Sequence, residues 1–289
     1  MSLNNDQMKF FADFIEEKLG IIYSKDNYYQ LERRLSDIST QLNLSSTEEL
    51  WQKAQGGVFG QMKMLLLDLA TNNETSFFRD AGLFKAIEER VLMEPRFAGD
   101  NPHPLRIWSC ATSTGQEVYT MAILLNAWKR FNANRTFTFY ATDYSERVLK
   151  QAEEGRYTQL EIQRGLPATM LVRYFHNEVK GEASGSHGPS WVVNDELKKG
   201  IIFKQQNLLE DFGPIGPFDL VMCRNVLIYQ SVEKKRKIIS EIARRIAPGG
   251  YLVLGAAESL MGLSDDFEQK QLDRAVIYER KSALASIAV

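Results

Sequence analysis

Residues 105–117 read Leu-Arg-Ile-Trp-Ser-Cys-Ala-Thr-Ser-Thr-Gly-Gln-Glu: a β-rich run, then a stretch of small side chains, then a helical pattern that continues to Phe131. A strand that ends in small residues before a helix lets a ligand approach the backbone. The same texture recurs downstream. β-rich runs at Leu105–Cys110, 137–142, 201–206, Phe218–Cys223 and 251–254 alternate with helical patterns at 115–131, 145–154 and 232–246. Strands alternating with helices specify a parallel sheet. A run at 275–279 adds a late hairpin strand, and a β-like piece at 191–193, after the Gly- and Ser-rich 181–189, marks an excursion outside the main sheet.

Upstream, helical spacing dominates. Phe10, Phe11, Phe14, Ile15 and Leu19 share one face up to a stop at Gly20. A second helix from about Asp26 carries Tyr28, Leu31, Leu35, Ile38 and Leu42 on one side, with Arg33 and Arg34 toward the flank or solvent. Ser45 or Ser46 caps a third helix at 47–54, and a fourth runs from about 59 to 69. The expected class is α/β, a helical N-terminal unit ahead of a Rossmann-like sheet.

The 289 residues are 44% hydrophobic, which excludes a disordered chain. Thirty-five Lys plus Arg against 37 Asp plus Glu leave a net charge of -2, so no global basic field favours nucleic acid. Apolar runs at 64–70 and 251–257 fall far short of the roughly 20 residues of a bilayer span, and the polar N-terminus lacks a signal-peptide core. The expectation is a soluble cytoplasmic protein without membrane insertion. Two cysteines, Cys110 and Cys223, and three scattered histidines supply neither a disulfide framework nor a metal site.

Several residues at strand ends suit a ligand. Glu117, beside the small-residue loop, fits an ammonium or sulfonium group better than phosphates, and the loop lacks G-x-G-x-x-G; an ordinary capped turn explains it as well. Asp143, after the second strand, can accept two ribose hydroxyls or simply cap the next helix. Asn207 and Leu208 can enclose a base, and Arg224 and Asn225 stand at the carboxyl end of an apolar strand, where such sheets bind ligands. Tyr229 either reaches the same cleft or packs with its hydroxyl in water. Between the helices and the sheet, 71–79 is dense in polar groups, with Asn73 and Thr75 able to hydrogen-bond and Arg79 able to grip a carboxylate.

Asn72-Asn73-Glu74-Thr75-Ser76-Phe77-Phe78-Arg79, Ser113-Thr114-Gly115-Gln116-Glu117, Ala141-Thr142-Asp143 and Cys223-Arg224-Asn225-Val226-Leu227-Ile228-Tyr229 together resemble the CheR-type protein-glutamate O-methyltransferases of bacterial chemotaxis. The likeness spans nearly the whole chain. It implies an N-terminal helical domain at 1–85 and a Rossmann-like S-adenosylmethionine (SAM) dependent methyltransferase domain at 86–289, with a small antiparallel β-subdomain inserted at about 172–200. It implies cofactor contacts at Asn73, Thr75, Arg79, Glu117, Asp143, Asn207, Leu208, Arg224 and Asn225. Tyr229 and Arg79 are the implied catalytic pair, with Tyr229 near the transferred methyl and either Tyr229 or a nearby arginine orienting the acceptor carboxylate. The implied reaction methylates glutamate carboxylates of chemoreceptor helices and leaves S-adenosylhomocysteine, with no metal or general base.

The resemblance also makes Arg33 and Arg34 a basic docking face for the acidic receptor bundle. An arginine near the family's site has two candidates here, Arg90 and Arg96. The stretch 176–190 is longer than in members whose β-subdomain holds a receptor C-terminal peptide, which counts against such a tether. Two other readings are a SAM methyltransferase with a different protein or small-acid substrate, and a SAM-binding signalling scaffold without turnover.

Overall fold

The computed structural model describes residues 3–97, 103–178, 190–273 and 275–282. Helix α1 (Asn5–Leu19) starts at a capping box, where Asn4 Oδ1 accepts from the Asp6 and Gln7 N–H groups at 3.0 Å and Gln7 Oε1 accepts from Asn4 N–H at 2.8 Å. It ends at Gly20, whose φ of 76° is left-handed and whose Cβ position, 1.9 Å from Gln230 Oε1, leaves room only for hydrogen. Helices α2 (Tyr28–Gln41), α3 (Thr47–Ala54) and α4 (Gly60–Ala70) pack their apolar faces on α1, around Phe11, Ile15, Leu31, Leu35, Leu50 and Leu66. A short helix α5 (Ala81–Ala86) with a π turn at Ile87–Val91 leads to the sheet.

The sheet follows as β1 (Leu105–Cys110), α6 (Gln116–Phe131), β2 (Phe137–Asp143), α7 (Glu146–Glu154), β3 (Arg156–Thr158), α8 (Gln159–Gln163), α9 (Ala168–Tyr174), β4 (Phe175–Glu178), β5 (Ser190–Val193), α10 (Asp195–Lys198), β6 (Ile201–Gln205), β7 (Phe218–Cys223), α11 (Val232–Arg245), β8 (Ile246–Leu254), β9 (Phe267–Leu272) and β10 (Ala275–Arg280). Seven strands take the order β6-β2-β1-β7-β8-β10-β9, the first five mutually parallel and β10 antiparallel to both neighbours. Alternate residues feed opposite layers. Ile107, Leu220, Met222 and Val253 pack against Val118, Met121 and Leu125 of α6, while Trp108, Val221, Cys223 and Leu252 pack against Ile238, Ile239 and Ile242 of α11.

The structure departs from the sequence expectations in four places. Strand β8 starts at Ile246 rather than 251, because Pro248 and two glycines mask a strand that pairs Ile246 with Phe218 and then bulges. The late hairpin takes the polar Phe267–Leu272 as its partner. The small sheet, order β3-β5-β4, draws one strand from Arg156–Thr158, three residues too short to show a period of two and upstream of 172–200. Arg34 corrects the expected basic face: only Arg33 is exposed, whereas the half-buried Arg34 guanidinium donates to the Tyr23 hydroxyl and the Ala70 carbonyl. The longer stretch invoked against a peptide tether falls mostly on 179–189, outside the described residues. Among the described residues no helix is long and apolar enough to cross a membrane.

Candidate active site

Parallel α/β sheets bind ligands beyond the carboxyl ends of their strands, where the chain direction of the connections reverses. Here that point lies between β1 and β7, paired Cys110 to Cys223. A cleft opens there and is closed from above by the end of α1. Three side chains from the sheet side hold the helix end in place: Asn207 Nδ2 donates to the Lys18 carbonyl at 2.9 Å, Gln230 Nε2 to the Leu19 carbonyl at 3.1 Å, and Lys234 Nζ to the Glu16 carbonyl. The Lys18 and Leu19 carbonyls are orphan acceptors of a helix C-terminus, while that of Glu16 also accepts from the Gly20 N–H at 2.9 Å; the helical unit and the sheet thus share the cleft, with Leu19 and Ile21 in its wall.

The loop after β1 turns through left-handed backbone at Ala111, Ser113 and Gly115, with φ of 57°, 54° and 93°. Only Gly115 has no Cβ, and one there would lie 2.9 Å from Ala152 Cβ and 3.0 Å from the Tyr157 hydroxyl. Asp143 holds the loop: its Oδ2 accepts from Ser113 N–H at 2.8 Å and its Oδ1 from Ser145 N–H at 3.0 Å. Burial raises the Asp143 carboxyl above its ordinary value, against the opposing pull of those backbone donors. Beyond these backbone donors the carboxylate keeps acceptor capacity for a ligand's hydroxyls.

All ten residues singled out from the sequence line this cleft: Asn73, Thr75, Arg79, Glu117, Asp143, Asn207, Leu208, Arg224, Asn225 and Tyr229. Their geometry refines the expectation for two of them. Arg224, its side chain 2% exposed, spends its guanidinium on protein: Nη1 on Glu117 Oε2 at 2.7 Å, Nη2 on the Arg79 carbonyl at 3.1 Å and on Asp80. Glu117 is thereby paired rather than free, and its Oε1 accepts from the Ser109 hydroxyl at 3.0 Å. Arg90 and Arg96 pair with Asp273 and Glu94, and neither lines the cleft. Cys110 and Cys223 are free and buried, and burial together with the neighbouring thiol pushes Cys110 well up, so it packs as an apolar group. Among the described residues no group of three or more His, Cys, Asp or Glu is placed to hold a metal ion.

The sequence reading missed Glu258. Its Oε2 accepts from Asn225 N–H at 2.8 Å and Gly255 N–H at 2.7 Å, and its Oε1 from Leu227 N–H at 2.7 Å and Ile228 N–H at 3.2 Å. One carboxylate thus fixes the segment from Asn225, at a φ of 59°, to Ile228, just before Tyr229. Its position just past β8, at the carboxyl edge, was the available signal. Glu258→Ala is expected to destabilise the fold by about 2 kcal/mol, because it leaves four N–H groups to water or to nothing. Urea unfolding checks this, and an unchanged midpoint would mean that water replaces the carboxylate fully.

A cleft at the switch point with a buried carboxylate, apolar walls and no glycine-rich phosphate cradle fits SAM, and with it the chain is a Rossmann-like SAM-dependent methyltransferase. Residues 73–276 match the family model "CheR methyltransferase, SAM binding domain". The chain is 35% identical over 285 residues to a chemotaxis protein methyltransferase of Pseudomonas putida, covering 97% of this chain and 100% of that one. It is also 35% identical over 283 residues to chemotaxis protein methyltransferase 1 of Vibrio cholerae, covering 97% and 99%. The chain belongs to the CheR family of chemotaxis protein methyltransferases.

Proposed function

We propose that this enzyme moves the methyl group of SAM to glutamate side-chain carboxylates on the cytoplasmic helices of chemoreceptors, working in the cytoplasm. The observation that supports this most is the convergence of five separated segments, 73–79, Glu117, Asp143, 207–208 and 224–229, on one cleft. Bound SAM supplies a sulfonium whose methyl carbon accepts a carboxylate lone pair while the carbon–sulfur electrons return to sulfur, giving a methyl ester and a neutral thioether. No proton moves, since the acceptor is already ionised at neutral pH. The protein's part is therefore binding and alignment.

In this reading Asp143 takes the ribose hydroxyls, Asn207 and Leu208 border the base, and Asn73, Thr75 and Arg79 hold the amino-acid end. Glu117, Arg224 and Asn225 complete the wall. Tyr229 donates to the incoming carboxylate, which a neutral phenol can orient without the strong pairing of a guanidinium. Residues 1–85 form the receptor-facing unit and 86–289 the transferase with its β-subdomain, and the exposed Arg33 meets the acidic receptor bundle.

Tritiated-methyl SAM mixed with the enzyme and chemoreceptor membranes tests the reading. The expected result is label on receptor that mild base releases as volatile methanol. Base-stable label, or label on other proteins only, would assign a different acceptor.

A further inference from the structure

Asn72 opens the polar segment 72–79 and meets Tyr229. Its Nδ2 lies 2.7 Å from the Tyr229 hydroxyl, across 157 residues of sequence. From this contact we infer that Asn72 is the positioning residue that aims the Tyr229 hydroxyl proton at the acceptor carboxylate, an inference that rests on the role proposed for Tyr229.

The direction of the bond carries the argument. An amide NH₂ only donates, so the phenol oxygen must accept through a lone pair, and its own O–H is directed elsewhere. A phenol O–H has two preferred in-plane orientations, and Asn72 occupies one side. The other side is left for a ligand in the cleft, which both residues line. Accepting one hydrogen bond also polarises the hydroxyl as a donor.

Both partners are held independently of each other. On the Asn72 side, Tyr23 Oη donates to the Ala70 carbonyl at 3.0 Å, Arg34 donates to the same carbonyl, and Ser113 Oγ donates to the Asn73 carbonyl at 2.8 Å. On the Tyr229 side, its carbonyl accepts from Ile22 N–H at 3.0 Å, and Glu258 fixes the two preceding N–H groups of Ile228 and Leu227. Backbone already anchored at both ends has little need of an exposed side-chain contact for stability. The contact instead restrains side-chain torsions that the backbone leaves open, among them that of the phenol proton.

Four variants test this: Asn72→Ala, Asn72→Asp, Tyr229→Phe and Asn72→Ala/Tyr229→Phe, each assayed with chemoreceptor membranes and titrated with SAM by calorimetry. Asn72→Asp keeps the contact and reverses it, because a carboxylate can only accept and so takes the phenol proton away from the cleft. The expected result is a fall in kcat of about fivefold for Asn72→Ala and a larger one for Asn72→Asp, with SAM affinity unchanged in both. In the Tyr229→Phe background, Asn72→Ala should cost nothing further. Enzyme labelled with [¹³Cζ]tyrosine adds a readout without turnover: the signal assigned by its loss in Tyr229→Phe should shift in Asn72→Ala. A merely structural contact predicts the opposite order, with Asn72→Asp harmless. That order, or an Asn72→Ala loss that persists undiminished in Tyr229→Phe, overturns the inference. If Tyr229→Phe itself retains full activity, the role proposed for Tyr229 fails, and this inference with it.

Discussion

Replacing Asp143 by alanine is expected to weaken SAM binding by about two orders of magnitude, measured by calorimetry on folded protein. The carboxylate is buried and faces a cleft where it can accept two ribose hydroxyls, and hydrogen bonds to a charged acceptor contribute roughly 1.5 to 3 kcal/mol each. Losing about 3 kcal/mol of binding corresponds to that change in Kd. The substitution also orphans the Ser113 and Ser145 N–H groups, so the loop after β1 loses its shape as well as its charge. Affinity carries a pH signature. Because burial raises the Asp143 carboxyl above its ordinary value of 3.8, and hydroxyls donate to the ionised form, affinity is full above the raised pKa and falls as pH drops through it. That window lies higher than an ordinary aspartate's, and Asp143→Ala should remove it. A Kd within threefold of the parent for Asp143→Ala would take Asp143 out of the site.

The sequence is most legible where a residue's chemistry and its place on a strand coincide. Asp143, Asn207 and Arg224 each stand just past the end of a β-rich run, and such ends share one edge once the sheet is parallel. What a strand end cannot disclose is partnership. Arg224 and Glu117 lie 107 residues apart, and only the adjacency of β1 and β7 brings them to 2.7 Å. Glu258 was hidden for the same reason, since its donors come from two different loops. Arg34 shows a further limit: helical spacing puts it one residue from Arg33 on the flank, but the groups that bury it, Tyr23 and the Ala70 carbonyl, belong to other segments. The roof of the cleft was likewise unreadable, because Gly20 looks like any helix stop until Gln230 is packed against it.

Arg224→Met is expected to cost the most stability, about 3 to 5 kcal/mol by urea unfolding, because it removes one partner of a buried charge pair and strands the other. Arg224 is 2% exposed and Glu117 15%, so water reaches neither side chain freely, while Asp80, at 39%, can be solvated when released. The stranded charge is therefore Glu117, directly beneath the loop after β1. Methionine matches much of the arginine's length and can still lie against Phe84, whose ring centroid sits 5.4 Å from the guanidinium carbon, so lost packing is a minor part of the effect. This separates charge from volume. Adding Glu117→Gln to Arg224→Met removes the stranded charge and should recover most of the loss, whereas Glu117→Gln alone leaves Arg224 with Asp80 and the Arg79 carbonyl and should cost less than Arg224→Met. Arg224→Lys keeps the charge but, with a single ammonium in place of a planar fork, cannot reach Glu117, Asp80 and the Arg79 carbonyl together, and should fall between. A double variant no more stable than Arg224→Met would show that the guanidinium acts through packing, and that Glu117 finds its own solvation at the floor of the cleft.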